Sequence, residues 1–341
     1  MKSKIEKELC LRIRGVLIGG AYGDAMGMPT EFWTQEHIFK RFPKGIEELL
    51  PSQEDDFFGR NMSAGEITDD TINTIMIAKM IIDNHGIINT DSYINQLIKW
   101  KNESKVAALV CGPSTLKALE AIEKGVSVEE TGKLGTTNGA AMKISPIGII
   151  SDYRDIDSLI DNVSMICKPS HNTSIAIQGA SIVAGIISYV VSGGNDLDKI
   201  WNLAEEIAGR AWSRGFPIPS ASIVQRIKLA KKVIRNCTMQ EALKNLYEVI
   251  GTGVETIETI PSVLAIIELS GGDPIISAKL CASIGGDTDT IGAIATGICG
   301  GMNPTFNDSL IEVLEKRNNL KFDEISSELY LLSPFWKNIN I

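Results

Sequence analysis

Four glycines at four-residue intervals, Gly15, Gly19, Gly23 and Gly27, sit in a stretch whose apolar residues recur at helical spacing from residue 4 to 28. In one continuous helix they form a gently drifting stripe without side chains. Glycine in a helix interior costs about 1 kcal/mol per position relative to alanine, so four in register ask for a compensating contact, most simply the close approach of a second backbone. Small residues repeat at the same interval in two other apolar segments, at Ala176, Ala180 and Ala184 and at Ala293, Gly297 and Gly301. These three segments are the expected tightly packed core. Dense packing with no chemical role is sufficient to explain the stripe itself.

Elsewhere the pattern is helix after helix. Apolar residues at three-to-four spacing predict helices over 70–84, 91–101, 113–124, 155–167, 172–192, 196–211, 219–235, 239–250, 261–270, 274–284, 288–300 and 307–316. Alternating strands and regular strand–helix blocks are missing, so the expected class is all-α. No fixed-period repeat supports a solenoid. The longest stretch without periodicity is 43–68, broken by Pro43, Pro51, Gly59 and Gly65 and carrying the acidic run Glu54, Asp55 and Asp56. A loop of this length in a compact domain is often functional.

Composition removes several function classes. With 33 Lys plus Arg against 42 Asp plus Glu, the chain has a net charge of −9, which argues against a nucleic-acid partner that needs clustered basic residues. The six cysteines form no C-x-x-C pair, so buried thiols are expected rather than disulfides or zinc. The N-terminal residues alternate charge with apolar side chains and lack a secretory core, which points to the cytoplasm. The uncharged segment 172–195 is long enough to span a bilayer, but Gln178, Ser181, Ser188 and internal glycines favour a buried central helix over a membrane span.

Two aspartate clusters carry the chemistry. Gly65-Glu66-Ile67-Thr68-Asp69-Asp70-Thr71 precedes one apolar helix and Gly285-Gly286-Asp287-Thr288-Asp289-Thr290 precedes another. Asp and Thr are good helix caps and the helix dipole favours anions there, so capping alone is one reading. A second carboxylate at the same amides gains less and repels the first. A hard divalent cation, Mg²⁺ or Mn²⁺, would supply the compensation, because such ions take carboxylate, hydroxyl and water oxygens. Calcium lacks its loop spacing, and zinc lacks ligands, the histidines being only His37, His85 and His171. The clusters stand more than 200 residues apart, so a shared site requires the chain ends to meet and makes residues 1–341 a single domain.

In these motifs the chain resembles the ADP-ribosylglycohydrolase family, that of dinitrogenase-reductase-activating glycohydrolase and the ADP-ribosylarginine hydrolases. The resemblance runs in order through Gly19–Gly27, Glu31, the T-D-D-T of Thr68–Thr71, the T-N-G-A-A-M-K of Thr137–Lys143 with Pro146 and Gly148, the S-H-N-T of Ser170–Thr173 and the G-G-D-T-D-T of Gly285–Thr290. It implies a compact, single-domain orthogonal helical bundle with a binuclear Mg²⁺ or Mn²⁺ centre. Carried over residue by residue, Thr68, Asp69 and Asp70 match one group of ligands and Asp287, Asp289 and Thr290 the other. Glu31 matches a glutamate beside the metals with a role in catalysis or metal gating, the alternative being an exposed acidic residue at a helix end. Lys143 stands where many relatives have arginine, which keeps the charge and loses the planar fork.

Two further motifs point to a ligand. The stretch from Gly135 through Thr137 and Asn138 to Gly139 opens an apolar segment whose backbone amides could cradle a diphosphate, or it is a plain glycine turn. His171 follows Pro169 and Ser170 and matches a histidine near the family's site, or it is a core or capping histidine. Phe32, Trp33, Phe57 and Phe58 are candidates for stacking, though such residues are more often core.

The mechanism implied is hydrolysis of a glycosidic bond to an ADP-ribosyl group. The ions would hold the ribose diol and a water, Glu31 or a carboxylate ligand such as Asp69 or Asp289 would accept the water's proton, and the carboxylates would stabilise oxocarbenium-like charge. The partner is an ADP-ribosylated protein or a small ribosyl compound, with no nucleic acid and no membrane. Competing readings are a hydrolase of small N-ribosides or nucleosides on the same scaffold, and a catalytically inactive ADP-ribose-binding or structural relative.

Overall fold

A computed structural model of the chain describes residues 4–104 and 107–339. In chain order its helices are α1 (Lys4–Gly27), α2 (Gln35–Arg41), α3 (Asp69–Asp83), α4 (Thr90–Glu103), α5 (Ala107–Val110), α6 (Pro113–Glu123), α7 (Val128–Thr131), α8 (Ser145–Ile150), α9 (Ile156–Cys167) and α10 (Ser174–Val191). They continue as α11 (Leu197–Ala211), α12 (Ile223–Val233), α13 (Met239–Asn245), α14 (Thr256–Leu269), α15 (Pro274–Ile284), α16 (Thr288–Met302), α17 (Asp308–Asn318), α18 (Phe322–Leu332) and α19 (Pro334–Ile339). Among the described residues the only β pairings are two isolated bridges, Thr137 with Glu255 and Thr173 with Phe216. The all-α expectation holds.

The glycine stripe is a backbone contact between α1 and α16. A methyl group built on Gly15 would lie 2.1 Å from the carbonyl oxygen of Gly300, on Gly19 2.3 Å from that of Thr296, on Gly23 2.0 Å from that of Gly292, and on Gly27 2.3 Å from that of Thr288. Residue numbers rise along one helix as they fall along the other, so the pair is antiparallel. Gly292 and Gly300 return the contact, at 2.4 and 2.1 Å from the carbonyls of Gly23 and Gly15. The stripe read from the sequence at Ala293, Gly297 and Gly301 flanks this line: Gly20 lies beside Ala293, Gly297 faces Val16 and Gly20, and Gly301 meets Val16 and Val190.

Helix α10 is the other central element. It is long and apolar enough to cross a membrane, yet every residue of it is buried inside the protein, packed against α8, α9, α11 and α16. One continuous apolar cluster runs from Leu9 on α1 to Tyr330 on α18. No helix lies between α2 and α3, which leaves the long connection over 43–68 as expected.

Two helix starts differ from their expectations by four or more residues. Helix α14 starts at Thr256, not at Pro261, because the Thr256 N–H and Oγ1 both donate to the Thr136 carbonyl, at 3.2 and 2.7 Å, and anchor an earlier first turn. Helix α12 starts at Ile223, capped by Ser222.

Because the α1–α16 contact is backbone on backbone, neither side can yield without parting the helices. Gly23→Ala is expected to cost about 3 kcal/mol or more, the upper end of overpacking penalties, and to lower the thermal midpoint by about 5 °C or more. Gly209→Ala, on the open face of α11 where an added methyl meets nothing within 4 Å, is expected to stabilise by up to about 1 kcal/mol. Equal melting curves for the two variants would refute the contact.

Candidate metal centre and cleft

The antiparallel crossing sets the end of α1 beside the start of α16, where Thr288 Oγ1 donates to the Gly27 carbonyl at 2.8 Å. Asp24, in the last turn of α1 and absent from the sequence-based candidates, faces the start of α3. Its carboxylate accepts from the Thr68 N–H (3.0 Å) and Oγ1 (2.9 Å) and from the Thr71 N–H (3.1 Å) and Oγ1 (2.5 Å). Asp24 therefore caps α3 from another helix. Thr68, the residue at the cap position, makes no cap bond of its own, and Asp69 and Asp70 are left free of that duty. At α16 the cap residue Asp287 makes no side-chain cap bond either. Capping does not account for the two clusters.

The carboxylates converge. Asp24, Asp70 and Asp289 each offer an oxygen such that the three lie within 4.8 Å of one another, and so do Glu31, Asp287 and Asp289. Asp289 belongs to both groups. Asp70 Oδ2 accepts from Thr68 Oγ1 at 3.0 Å, while its Oδ1 is buried with no partner, an uncommon state for a buried oxygen. The glycines before α16 are a geometric requirement: Gly285 and Gly286 both have φ +83°, and a side chain on Gly286 would meet the Thr252 carbonyl at 2.3 Å.

Of these groups, Glu31, Asp70, Asp287 and Asp289 form the floor of a cleft of about 620 Å³, and Asp24 is not part of its lining. Asp69 lines it and accepts from the Gly112 N–H at 3.3 Å, and Thr290 lines it as well. Thr137, Asn138, Gly139 and His171 form one wall. Asn138 Nδ2 bridges the Asp287 carboxylate and Thr259 Oγ1. His171, buried, stands between Thr137 Oγ1 (3.0 Å) and Ser170 Oγ (2.7 Å), with its ring against Gly139.

Gly135 stands apart from the other expected ligand residues. It lies behind the wall, its N–H donating to the Gly132 carbonyl and its own carbonyl accepting from Thr173 Oγ1. The Asn138 N–H is likewise spent on the Val254 carbonyl. A cradle built from all of these amides is therefore not available.

Arg60, in the long loop, is a second residue that sequence reading missed. Only 6% exposed, it pairs with Glu31 at 2.5 Å and with Asp56 at 2.7 Å, donates to the Met28 carbonyl at 3.0 Å, and lies 4.9 Å from the centre of the Phe58 ring.

The model of the ADP-ribosylglycohydrolase family matches residues 6–331. The chain belongs to this family. It is 36% identical over 322 residues, covering 93% of itself and 96% of the other, to an uncharacterized Escherichia coli (strain K12) protein, YegU. It is 24% identical over 320 residues, 85% of itself and 86% of the other, to ADP-ribosylhydrolase ARH3 of Xenopus tropicalis. A solved structure described as an ADP-ribosylglycohydrolase-related protein complex shares the fold, with a TM-score of 0.71, 18% identity and coverage of 96% of this chain and 99% of that one.

Electrostatics in this glycohydrolase-family site are dominated by burial. Burial first, and repulsion by Asp289 second, push the Asp24 and Asp69 carboxyls up to about 7. The same causes, in the same order, push Asp70, Glu31 and Asp287 well above the usual carboxylate range. Arg60 opposes this at Glu31, and Asn138 at Asp287. Burial, with a smaller contribution from Lys143, lowers His171 to about 3, so its imidazole is neutral at physiological pH.

In the unfolded chain these carboxyls ionise near pH 4. Between roughly pH 4 and 7 the folded chain thus holds more protons than the unfolded one, and stability falls as the pH rises through that window. His171 acts in the opposite sense below about pH 6.5, where the unfolded chain takes up its proton first. In chelator, the thermal midpoint is expected to fall from roughly pH 4.5 to 7.5, and Asp70→Asn, with one repelling charge gone, to make the fall shallower. A midpoint that rises equally in both proteins would contradict this arrangement.

Proposed function

We propose that this protein is a hydrolase of the glycosidic bond, N- or O-linked, of an ADP-ribosyl group, with ADP-ribosyl-arginine or a related conjugate as the substrate and two Mg²⁺ or Mn²⁺ ions as the cofactor. The reading takes residues 1–341 as one domain. The observation that carries it is the meeting of two carboxylate triplets that share Asp289, with Glu31, Asp70, Asp287 and Asp289 exposed to one cleft. Membership of the family and the likeness to ADP-ribosylhydrolase ARH3 supply the reaction class.

The residues fit hard cations. The donor set is all oxygen, an oxygen of Asp70 is buried without a partner, and among the described residues no lysine or arginine lines the cleft. Asp24, Asp70 and Asp289 would hold one ion and Glu31, Asp287 and Asp289 the other, with Thr68, Asp69 and Thr290 beside them. Such ions, when bound, neutralise the carboxylates, acidify water and orient vicinal hydroxyls.

The chain's own groups divide the remaining work. Glu31, held by Arg60, accepts the proton of the attacking water. The oxygen of that water bonds to the anomeric carbon as the bond to the leaving group breaks, and the leaving atom keeps the electron pair. The surrounding carboxylates stabilise the positive charge that develops on the sugar ring. Neutral His171 fixes the Thr137 hydroxyl through Nε2, and Thr137 with Gly139 presents polar groups to the part of the substrate that stays behind.

Release of ADP-ribose from ADP-ribosyl-arginine is expected in Mg²⁺ or Mn²⁺, to stop with EDTA, and to fall at least about 100-fold in Asp289→Asn, more than the loss typical of residues one shell removed from a metal. Metal uptake by calorimetry is expected to fall in the same variant. Undiminished hydrolysis in EDTA would overturn the metal assignment, and no release from any ADP-ribosyl or ribosyl substrate would overturn the enzyme.

A further inference from the structure

We infer that Phe32, Phe57 and Phe58 form a stacking subsite for a planar heteroaromatic leaving group, so that the substrate of this cleft carries a nucleobase-type or pyridine-type ring on the carbon that is attacked. The inference rests on the hydrolase reading above: it keeps the glycosidic bond and the carboxylate site, and it replaces arginine with an aromatic ring as the leaving group.

The three rings line the cleft and remain 42%, 65% and 37% exposed, whereas the neighbouring Trp33 is 6% exposed. They are ordered against one another. Phe32 and Phe57 are stacked at 5.0 Å with their planes 16° apart, and Phe58 meets both edge-on, at 5.4 and 5.1 Å.

The backbone beneath them is held rigidly. Phe32 has φ +62°, a left-handed conformation that a bulky side chain rarely adopts. It is pinned there by Phe32 N–H to the Gly286 carbonyl at 2.7 Å and Gly286 N–H to the Trp33 carbonyl at 2.9 Å. The turn carrying Phe57 and Phe58 is fixed by the Asp56 carboxylate, which accepts from the N–H groups of Phe58 and Arg60 and from the Arg60 guanidinium. A preorganised, solvent-facing aromatic group of this kind suits a flat ring and binds it by dispersion.

Position selects the leaving group over the adenine of an ADP-ribosyl substrate. Phe32 follows Glu31 in the chain, its N–H is bonded one residue before Asp287, and Arg60 links Glu31 to the face of Phe58. The rings are thus tied to the carboxylates at the reacting end. A ring on the attacked carbon is one bond from that centre, whereas the adenine lies beyond a diphosphate and a second ribose.

The test compares two substrates with the same ADP-ribosyl half, NAD⁺ and ADP-ribosyl-arginine, with inosine as a third probe whose ring sits on the attacked carbon. In Phe57→Ala the ratio of kcat/KM for NAD⁺ to that for ADP-ribosyl-arginine is expected to fall about tenfold or more, the scale of one base–aromatic stack, through KM more than kcat. Phe57→Trp, which keeps a π-face, is expected to retain the ratio, and thermal melts of both variants should match the parent because the ring is exposed. An unchanged ratio overturns the subsite and leaves the hydrolase reading standing. If the parent cleaves nothing, calorimetry with inosine and ribose decides: tighter binding of inosine that Phe57→Ala abolishes supports the subsite although the hydrolase reading falls, and equal binding overturns it. Loss of affinity for ADP-ribose with none for inosine also overturns it, by assigning the rings to the adenine.

Discussion

Direct backbone contact between α1 and α16 is the constraint on which the site depends. Four glycines along α1 let carbonyls of α16 approach to a distance that no side chain permits, and the antiparallel sense then dictates which ends meet. The last turn of α1 supplies Asp24, the residues just beyond it supply Glu31, and the first turn of α16 supplies Asp289. Helix α3 is drawn in by the bonds from Thr68 and Thr71 to Asp24. A core-packing device thus sets the position of every carboxylate in both triplets. Two of the three helices arrive by their N-termini, whose unpaired N–H groups offset some of the negative charge.

That offset is partial. Buried carboxylates without counter-charges take up protons, as the raised values at Asp24 and Asp69 describe, and an arrangement of this kind costs stability that the surrounding core has to supply. The continuous apolar cluster from α1 to α18 and the fully buried α10 provide it. Among the described residues Arg60 is the one guanidinium that pairs with these carboxylates, and it meets Glu31 at the edge of the group rather than at its centre. The middle of the site, at Asp289, is left to whatever cation the cleft admits.

Much of this was legible in the sequence, for specific reasons. The glycine stripe pointed to a backbone contact as the simplest reason for four helical glycines in register, and the T-D-D-T and G-G-D-T-D-T segments asked for a cation because doubled carboxylates overfill a cap, with convergence following if the two share one site. Asp24 was not legible: one aspartate among glycines reads as a tolerated polar residue until the helix it caps is seen to come from elsewhere in the chain. Arg60 gave no signal beyond a lone basic residue in an acidic loop. Gly135 misled because a glycine-rich turn announces free amides, while their actual partners, such as the Gly132 and Val254 carbonyls, are decided by tertiary structure. Helix α18 was legible in retrospect, since Phe322, Ile325, Leu329 and Tyr330 are buried at helical spacing.

The division of the cleft follows from the same economy of charge. One wall offers Thr137, Asn138, Gly139 and a neutral His171, the other three phenylalanines, and the floor gathers the acids. A lysine on either wall would pair with the floor and compete with the cation there, at an energy that rises steeply in a buried, weakly screened site. Walls without charge among the described residues leave the floor open to a cation, with hydrogen-bonding groups on one side and ring faces on the other. Lys143 obeys the same restriction: it is buried behind the cleft, 5.6 Å from the centre of the Tyr93 ring, where burial lowers its pKa and it stays off the lining. The loop over 43–68 then acquires its purpose, because through Arg60 and Asp56 it sets the aromatic wall and Glu31 in one rigid unit.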